Sequence, residues 1–201
     1  MGPNWLRWAK RLAALAQNGL TYSDSEYEID RYKQIRQIAA EMTSAGSDLE
    51  TKVILDLFSQ ERGYATPKVD VRGAVFRDDK ILLVREKIDG GWADPCQSPS
   101  EAAAREVFEE AGFQVRVTKL AAVYDRSKHP HLPLMPFHLY KLFFLCEITG
   151  GTATESYETT GVDFFAEDGI PQDLSISRTL PFQIARMFEH HRNPALPTDF
   201  D

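Results

Sequence analysis

The chain has 201 residues and a mass of 22.8 kDa, 43% hydrophobic and 26% charged. At roughly 150 residues per domain, that is one medium domain with an appendage, apolar enough to bury a core and too apolar for disorder. Thirty acids against 23 bases give a formal net charge of -7, which disfavours general binding to nucleic acid or to an anionic membrane. Two cysteines, Cys96 and Cys146, exclude a disulfide framework or a Cys-rich zinc site and fit a reducing, cytoplasmic compartment. No apolar run approaches the ~18 residues of a membrane span. The segment 1–17 lacks the continuous apolar stretch of a secretory signal.

In chain order, the first sixty residues read as helical. Trp5, Trp8, Ala9, Leu12, Leu15 and Ala16 recur at three- and four-residue steps, one apolar stripe that Gly19 is expected to end. Ser23 and Glu26 offer a capping box for a second helix, whose stripe is Tyr32, Ile35, Ile38, Ala39 and Met42. A third helix is expected over about 48–58, then a linker at 62–67. The predicted domains are a helical one at 1–66, for packing or dimerisation, and a second at 67–201. The first has a net charge of -1 and the second of -6, so the arm is no basic nucleic-acid grip.

From Lys68 the apolar period changes to two. Strands are expected at 69–75, 81–84, 115–120, 121–124, 138–148 and 162–165, with a turn at Asp78-Asp79. Helices are expected at 102–111 and 181–191. Strands on both sides of a helix, without a regular strand–helix alternation, predict an α/β fold: an α/β/α sandwich with a mixed sheet. Tyr140, Phe143 and Phe144 read as core. His190-His191 reads as a helix end, where cationic imidazole suits the dipole.

The chemistry concentrates between Gly91 and Phe113. Ser98-Pro99-Ser100-Glu101 is a helix start and Gly112 a helix stop. At 100° per residue, Ala104, Val107, Phe108 and Ala111 fall on one side and are expected in the core. Glu106, Glu109 and Glu110 cluster on the other. Three carboxylates so placed repel one another, and they sit in the last turns, where the helix dipole disfavours them. Two readings are open: a solvated acidic face, or a site for Mg²⁺ or Mn²⁺, whose preference for clustered oxygens offsets both costs.

Gly91, Gln97 and Arg105-Glu106-Val107-Phe108-Glu109-Glu110-Ala111-Gly112-Phe113 resemble the Nudix box: Gly, five residues, Glu, seven residues, Arg-Glu-apolar-any-Glu-Glu-any-Gly-apolar. The helical arm resembles the extension of one Nudix branch, whose members hydrolyse nucleoside diphosphates linked to another group. The resemblance implies a Nudix-like fold and a Mg²⁺- or Mn²⁺-dependent pyrophosphohydrolase. The substrate would be a nucleoside diphosphate derivative, CDP-choline or ADP-ribose foremost, and the arm would form a homodimer. It implies metal ligands at Glu106, Glu109, Glu110 and the Gly90 carbonyl, and catalytic roles for Glu106, Arg105 and Glu109. Arg105 would orient a glutamate of the cluster.

Two departures stand out. Gln97 replaces the first glutamate of the box, so proton transfer is expected to fall to Glu106 or to a later acid such as Glu155 or Glu158. The segment before Gly91 is about six residues shorter than the branch pattern, without its Leu-Pro-Gly-Gly-like turn. These departures leave a non-catalytic nucleotide sensor as the alternative. Arg126, Lys128 and His131, in the 125–131 loop, are candidate contacts for anionic substrate groups. The loop is a poor zinc site, because its two histidines lack an accompanying Cys or acid. There is no P-loop, nucleophile elbow or Cys/His pair.

Overall fold

A computed structural model of the chain describes residues 3–86, 96–157 and 159–201. Two compact units emerge, Met1–Lys68 with Ser127–His138, and Val69–Arg126 with Leu139–Asp201. The grouping of 127–138 with the helical unit is not visible in the sequence. Within that unit, Phe137 meets Phe58 edge-on at 6.4 Å, and the Lys68 N–H donates to the His138 carbonyl at 3.0 Å.

The helical unit holds α1 (Asn4–Tyr22), α2 (Glu26–Ala45) and α3 (Thr51–Gln60). Its core gathers Ala39, Ala40, Ile54 and Phe58, with Leu12, Ala13, Leu55 and Phe137 against it. Gly19 does not end α1. It lies where α2 crosses: a Cβ there would stand 2.3 Å from the Tyr32 ring, so the glycine allows the close approach and the helix runs on to Tyr22. The expected Ser23/Glu26 capping box is also absent. Ser23 Oγ donates instead to Glu28 at 2.6 Å, and α2 starts after Ser25 without a side-chain cap.

The second unit is a mixed six-stranded sheet between helices, as the strand and helix spacing predicts. Its strands are β1 (Lys68–Arg77), β2 (Lys80–Glu86), β3 (Phe113–Asp125), β4 (Leu139–Gly151), β5 (Thr159–Phe165) and β6 (Asp199–Phe200), in the order β5-β2-β1-β4-β3-β6. The β2/β5 and β3/β4 pairs are antiparallel, and β6 joins β3 in parallel. The two strands expected at 115–124 are one, with register shifts between Gln114 and Val115, Val117 and Lys119, and Leu120 and Ala122. Helix α4 (Pro99–Ala111) packs on one face over Val71, Val75, Phe113, Phe144 and Cys146. Helix α5 (Pro181–Arg192) packs on the other, where Ile184, Met187 and Phe188 meet Ala74, Ala122, Phe143 and Leu145. The alternation of Phe143/Leu145 with Phe144/Cys146 between the faces is the period of two that announces a strand buried on both sides. Phe143 and Phe144 are core as expected, whereas Tyr140 is exposed.

His190 corrects its sequence reading. It is fully buried, with Nδ1 3.0 Å from Lys119 Nζ and Nε2 3.5 Å from an Asp199 carboxylate oxygen. Lys119 donates as well to the Pro194 and Leu196 carbonyls. Asp199 accepts from Arg186 at 2.7 and 2.8 Å and from the Tyr124 hydroxyl at 3.1 Å. Burial first, and then the Lys119 charge, lower the proton affinity of His190, so it is a neutral core group. Below the ordinary histidine pKa of about 6.5 the unfolded chain takes up a proton that the folded chain refuses, and stability falls. The urea midpoint is therefore expected to drop between pH 7 and 5, and His190→Gln to flatten that part of the profile; an unchanged slope in the variant would refute the assignment.

Candidate active site

Helix α4 begins and ends where local chemistry dictates. The Glu101 N–H donates to Ser98 Oγ at 3.3 Å, and the Ser98 N–H to the Glu101 carboxylate at 2.8 Å, a complete capping box with Pro99 in the first turn. Gly112 ends the helix at φ 76°, where a Cβ would meet the Thr152 carbonyl oxygen at 2.6 Å. The buried Thr159 hydroxyl donates to the Glu110 carbonyl at 2.8 Å, and the Thr154 N–H to the Ala111 carbonyl at 3.0 Å. These bonds satisfy last-turn carbonyls and fix the end of the helix that carries the acids.

The buried face of α4 is Ala102, Ala103, Glu106, Val107 and Ala111. Phe108, expected in the core, is half-exposed: the sheet contacts a stripe turned toward Ala103, and one carboxylate is buried in place of a phenyl ring. Glu106 is only 8% exposed and Glu109 is exposed. Arg105 spans both, with Nη2 2.8 Å from Glu106 and Nη1 2.6 Å from Glu109, while its Nε donates to the Gln97 amide oxygen at 3.1 Å. Gln97 thus holds the same arginine that holds the two carboxylates. Burial outweighs Arg105 at Glu106 and raises its proton affinity.

Among the described residues, no three His, Cys, Asp or Glu side chains are gathered so as to hold a metal ion. The Arg105 fork draws Glu106 and Glu109 to itself. In chemistry the donor set does fit a hard divalent cation. It is all oxygen, and its central carboxylate is desolvated beyond what its arginine repays. Gly90, Glu158 and the shortened segment before Gly91 lie outside the described residues. Glu155 is exposed in the loop before β5.

Beside the helix lies a cavity of about 720 Å³. Strands β1 and β2 pair at Phe76–Ile81 and Arg77–Lys80, next to their turn. Farther along, residues of both strands line the cavity. Glu106 and Glu110 stand on its wall, with Arg72, Arg178 and Asp173 among the other charged residues. Behind Arg72 is an ionic cluster that sequence reasoning missed. Asp70 pairs with Lys141 and takes Arg72 Nε at 3.0 Å, and the buried Arg126 lies within range of its charge. The available signal is a lysine in an inward register of an apolar strand, Tyr140-Lys141-Leu142.

The three candidate substrate contacts do not form one exposed group. Arg126 and His131 are buried, and Lys128 is exposed. Residue 126 belongs to the sheet unit, and residues 128 and 131 belong to the helical one. Arg126 and Lys128 share one 3-10 turn, Arg126–Lys128, so what the sequence could not show is which of the three side chains are buried.

Residues 66–180 match the family model described as the NUDIX domain, and residues 3–58 match one described as a UDP-X-like, N-terminal oligomerisation domain. A Bacillus subtilis (strain 168) protein named "Putative ADP-ribose pyrophosphatase YjhB" is 43% identical over 203 residues, covering 98% of this chain and 97% of that protein. A solved ADP-ribose pyrophosphatase from Streptococcus suis 89-1591 is 36% identical, with a TM-score of 0.61, covering 68% of this chain and 100% of the other. A solved UDP-X diphosphatase is 29% identical, with the same TM-score, over 98% of both chains. The chain belongs to the Nudix hydrolase family, and its first sixty residues to the helical extension of one branch. Among the described residues, no helix is long and apolar enough to cross a membrane.

Proposed function

We propose that the protein is a divalent-metal-dependent pyrophosphohydrolase that splits the diphosphate bridge of a nucleoside diphosphate linked to a second group, with ADP-ribose the favoured substrate and CDP-choline the next. The observation that carries the reading is the buried Glu106 beside Glu110 on the wall of a cavity with Arg72 and Arg178. The relatives' names support the substrate class. Carboxylates alone would repel a diphosphate. Glu106, Glu109 and Glu110, with the Gly90 carbonyl, would hold a cation that would supply the missing positive charge and a Lewis acid. Mg²⁺ and Mn²⁺ both suit oxygen donors.

In this reading the protein's own groups position and move protons. Arg105 sets the carboxylates of Glu106 and Glu109. Glu106, whose burial raises its proton affinity, takes a proton from the attacking water, the duty that Gln97 cannot perform. The water attacks one phosphorus in line, the bridging P–O bond breaks, and the products are a nucleoside monophosphate and a phosphorylated second group. Arg72 and Arg178, which line the same cavity, meet the substrate's anionic oxygens. We place the enzyme in the cytoplasm, where Cys96 and Cys146 stay free, and read the helical arm as a homodimerisation unit and residues 67–201 as the hydrolase domain.

The test is incubation with ADP-ribose, CDP-choline and UDP-linked sugars, with Mg²⁺, Mn²⁺ or EDTA, following monophosphate release. Metal-dependent release from one of these substrates is the expected result. Tight binding without release in either metal would refute hydrolysis and leave a nucleotide sensor.

A further inference from the structure

The face of α1 turned away from α2 and α3 is not polar. Leu6, Ala9 and Ala16 are buried, but Trp8, Leu15 and Tyr22 are 50, 59 and 69% exposed. They stand seven residues apart, so they lie on one line about 21 Å long at 1.5 Å per residue. Apolar residues at strict seven-residue spacing form the seam of a helix paired with another helix, since 3.5 residues per turn keeps the seam on its partner. Intermolecular pairing explains why a helix already packed on one side carries a second apolar line.

The charges on the same helix say which way the partner runs. Every charged residue of α1 is basic: Arg7, Lys10 and Arg11, all in its N-terminal half. The acids Asp24, Glu26 and Glu28 follow directly on its C-terminal end. A parallel partner would set like charge against like. An antiparallel copy sets Arg7 beside Asp24 of the other chain, and Trp8 against Tyr22. Leu15, the midpoint, then meets its own counterpart. Such an arrangement is self-complementary, as a two-fold interface requires.

We infer that two copies of this chain associate through α1, antiparallel, with the two-fold axis at Leu15 and Trp8 and Tyr22 as the outer anchors. The inference rests on the reading of the arm as a homodimerisation unit, which the match to an oligomerisation domain supports, and it names the face and the direction.

Sedimentation and light scattering of the full chain decide it. The wild type is expected at twice 22.8 kDa, and Leu15→Glu is expected to raise the dimer dissociation constant at least about 30-fold, the effect of losing a central anchor, with an unchanged circular dichroism spectrum. Arg7→Glu and Asp24→Arg are each expected to weaken the dimer and, when combined, to restore it. In a Cys96→Ser background, Leu15→Cys is expected to cross-link to itself, and Trp8→Cys only to Tyr22→Cys on a second chain. A monomeric wild type would overturn the dimerisation reading itself. A wild-type dimer that survives Leu15→Glu, or Trp8→Cys chains that cross-link to each other, would overturn this face or this direction alone. Should Leu15→Glu fail to fold, the charge pair and the cysteine pairs decide.

Discussion

Lys141→Met is expected to destabilise the protein by about 3–5 kcal/mol, the cost of removing one partner from a buried ion pair. Lys141 lies on β4 with its side chain 1% exposed, paired with Asp70 of β1, while Arg72 takes the other Asp70 oxygen. Methionine fills similar space but leaves the carboxylate buried without its lysine. On a total stability of roughly 5–15 kcal/mol, this loss shows as a large fall in the urea midpoint at unchanged slope. Asp70→Asn is expected to cost a similar amount, and the double variant less than the two single costs together, because the second substitution removes a charge that the first has stranded.

The same pair makes stability depend on pH. Burial first pushes the Lys141 ammonium down to about 8, with the Asp70 charge resisting. Between about 8 and the ordinary lysine value near 10.4, the unfolded chain holds a proton that the folded chain has released. Stability from this group therefore rises with pH through that window and is absent below it. The wild type is expected to show this rise in urea midpoints at pH 8–10.5, and Lys141→Met to lack it. A variant as stable as the wild type, with the rise intact, would mean that the buried pair is not formed.

The second large effect concerns catalysis. Glu106→Gln is expected to lower kcat by at least about 100-fold, the scale at which losing one preorganised electrostatic contact is felt, while leaving the fold intact. Glutamine keeps the shape and removes a charge whose burial is not fully repaid. Glu109→Gln and Glu110→Gln are expected to act chiefly by weakening metal binding, so added Mn²⁺ should restore part of their activity but little of that of Glu106→Gln. Single-turnover kinetics at saturating metal separates the two. Full activity in Glu106→Gln would remove this residue from the mechanism and move the proton transfer elsewhere.

What the sequence made readable follows from locality. Ser98, Pro99, Glu101 and Gly112 fix both ends of α4, because each acts on backbone groups within four residues of itself. The i, i+3, i+4 spacing of Glu106, Glu109 and Glu110 puts the acids on neighbouring positions of one helix for the same reason. The exchange of a period near 3.6 for a period of two at Lys68 announced a helical arm before a sheet, and the comparisons bear out the family that the Arg105–Phe113 segment resembles. Local rules failed where a distant neighbour overruled them, as at Gly19, which is occupied by the Tyr32 ring rather than a helix end.

By itself, then, the sequence determined most of the elements, where the helix that carries the acids starts and stops, and that three carboxylates share it. These are properties of hydrogen bonds and side-chain directions within a turn or two. Only the tertiary structure decided the rest. It buried Glu106 in preference to Phe108, and it tied Asp70 to Lys141 across 71 positions. It withdrew His190 into a neutral site, buried Arg126 and His131 but not Lys128, and left Trp8, Leu15 and Tyr22 outside. Each of these outcomes depends on which surface another segment covers. Burial and charge pairing between residues far apart in the chain are set by that packing, which no local pattern encodes.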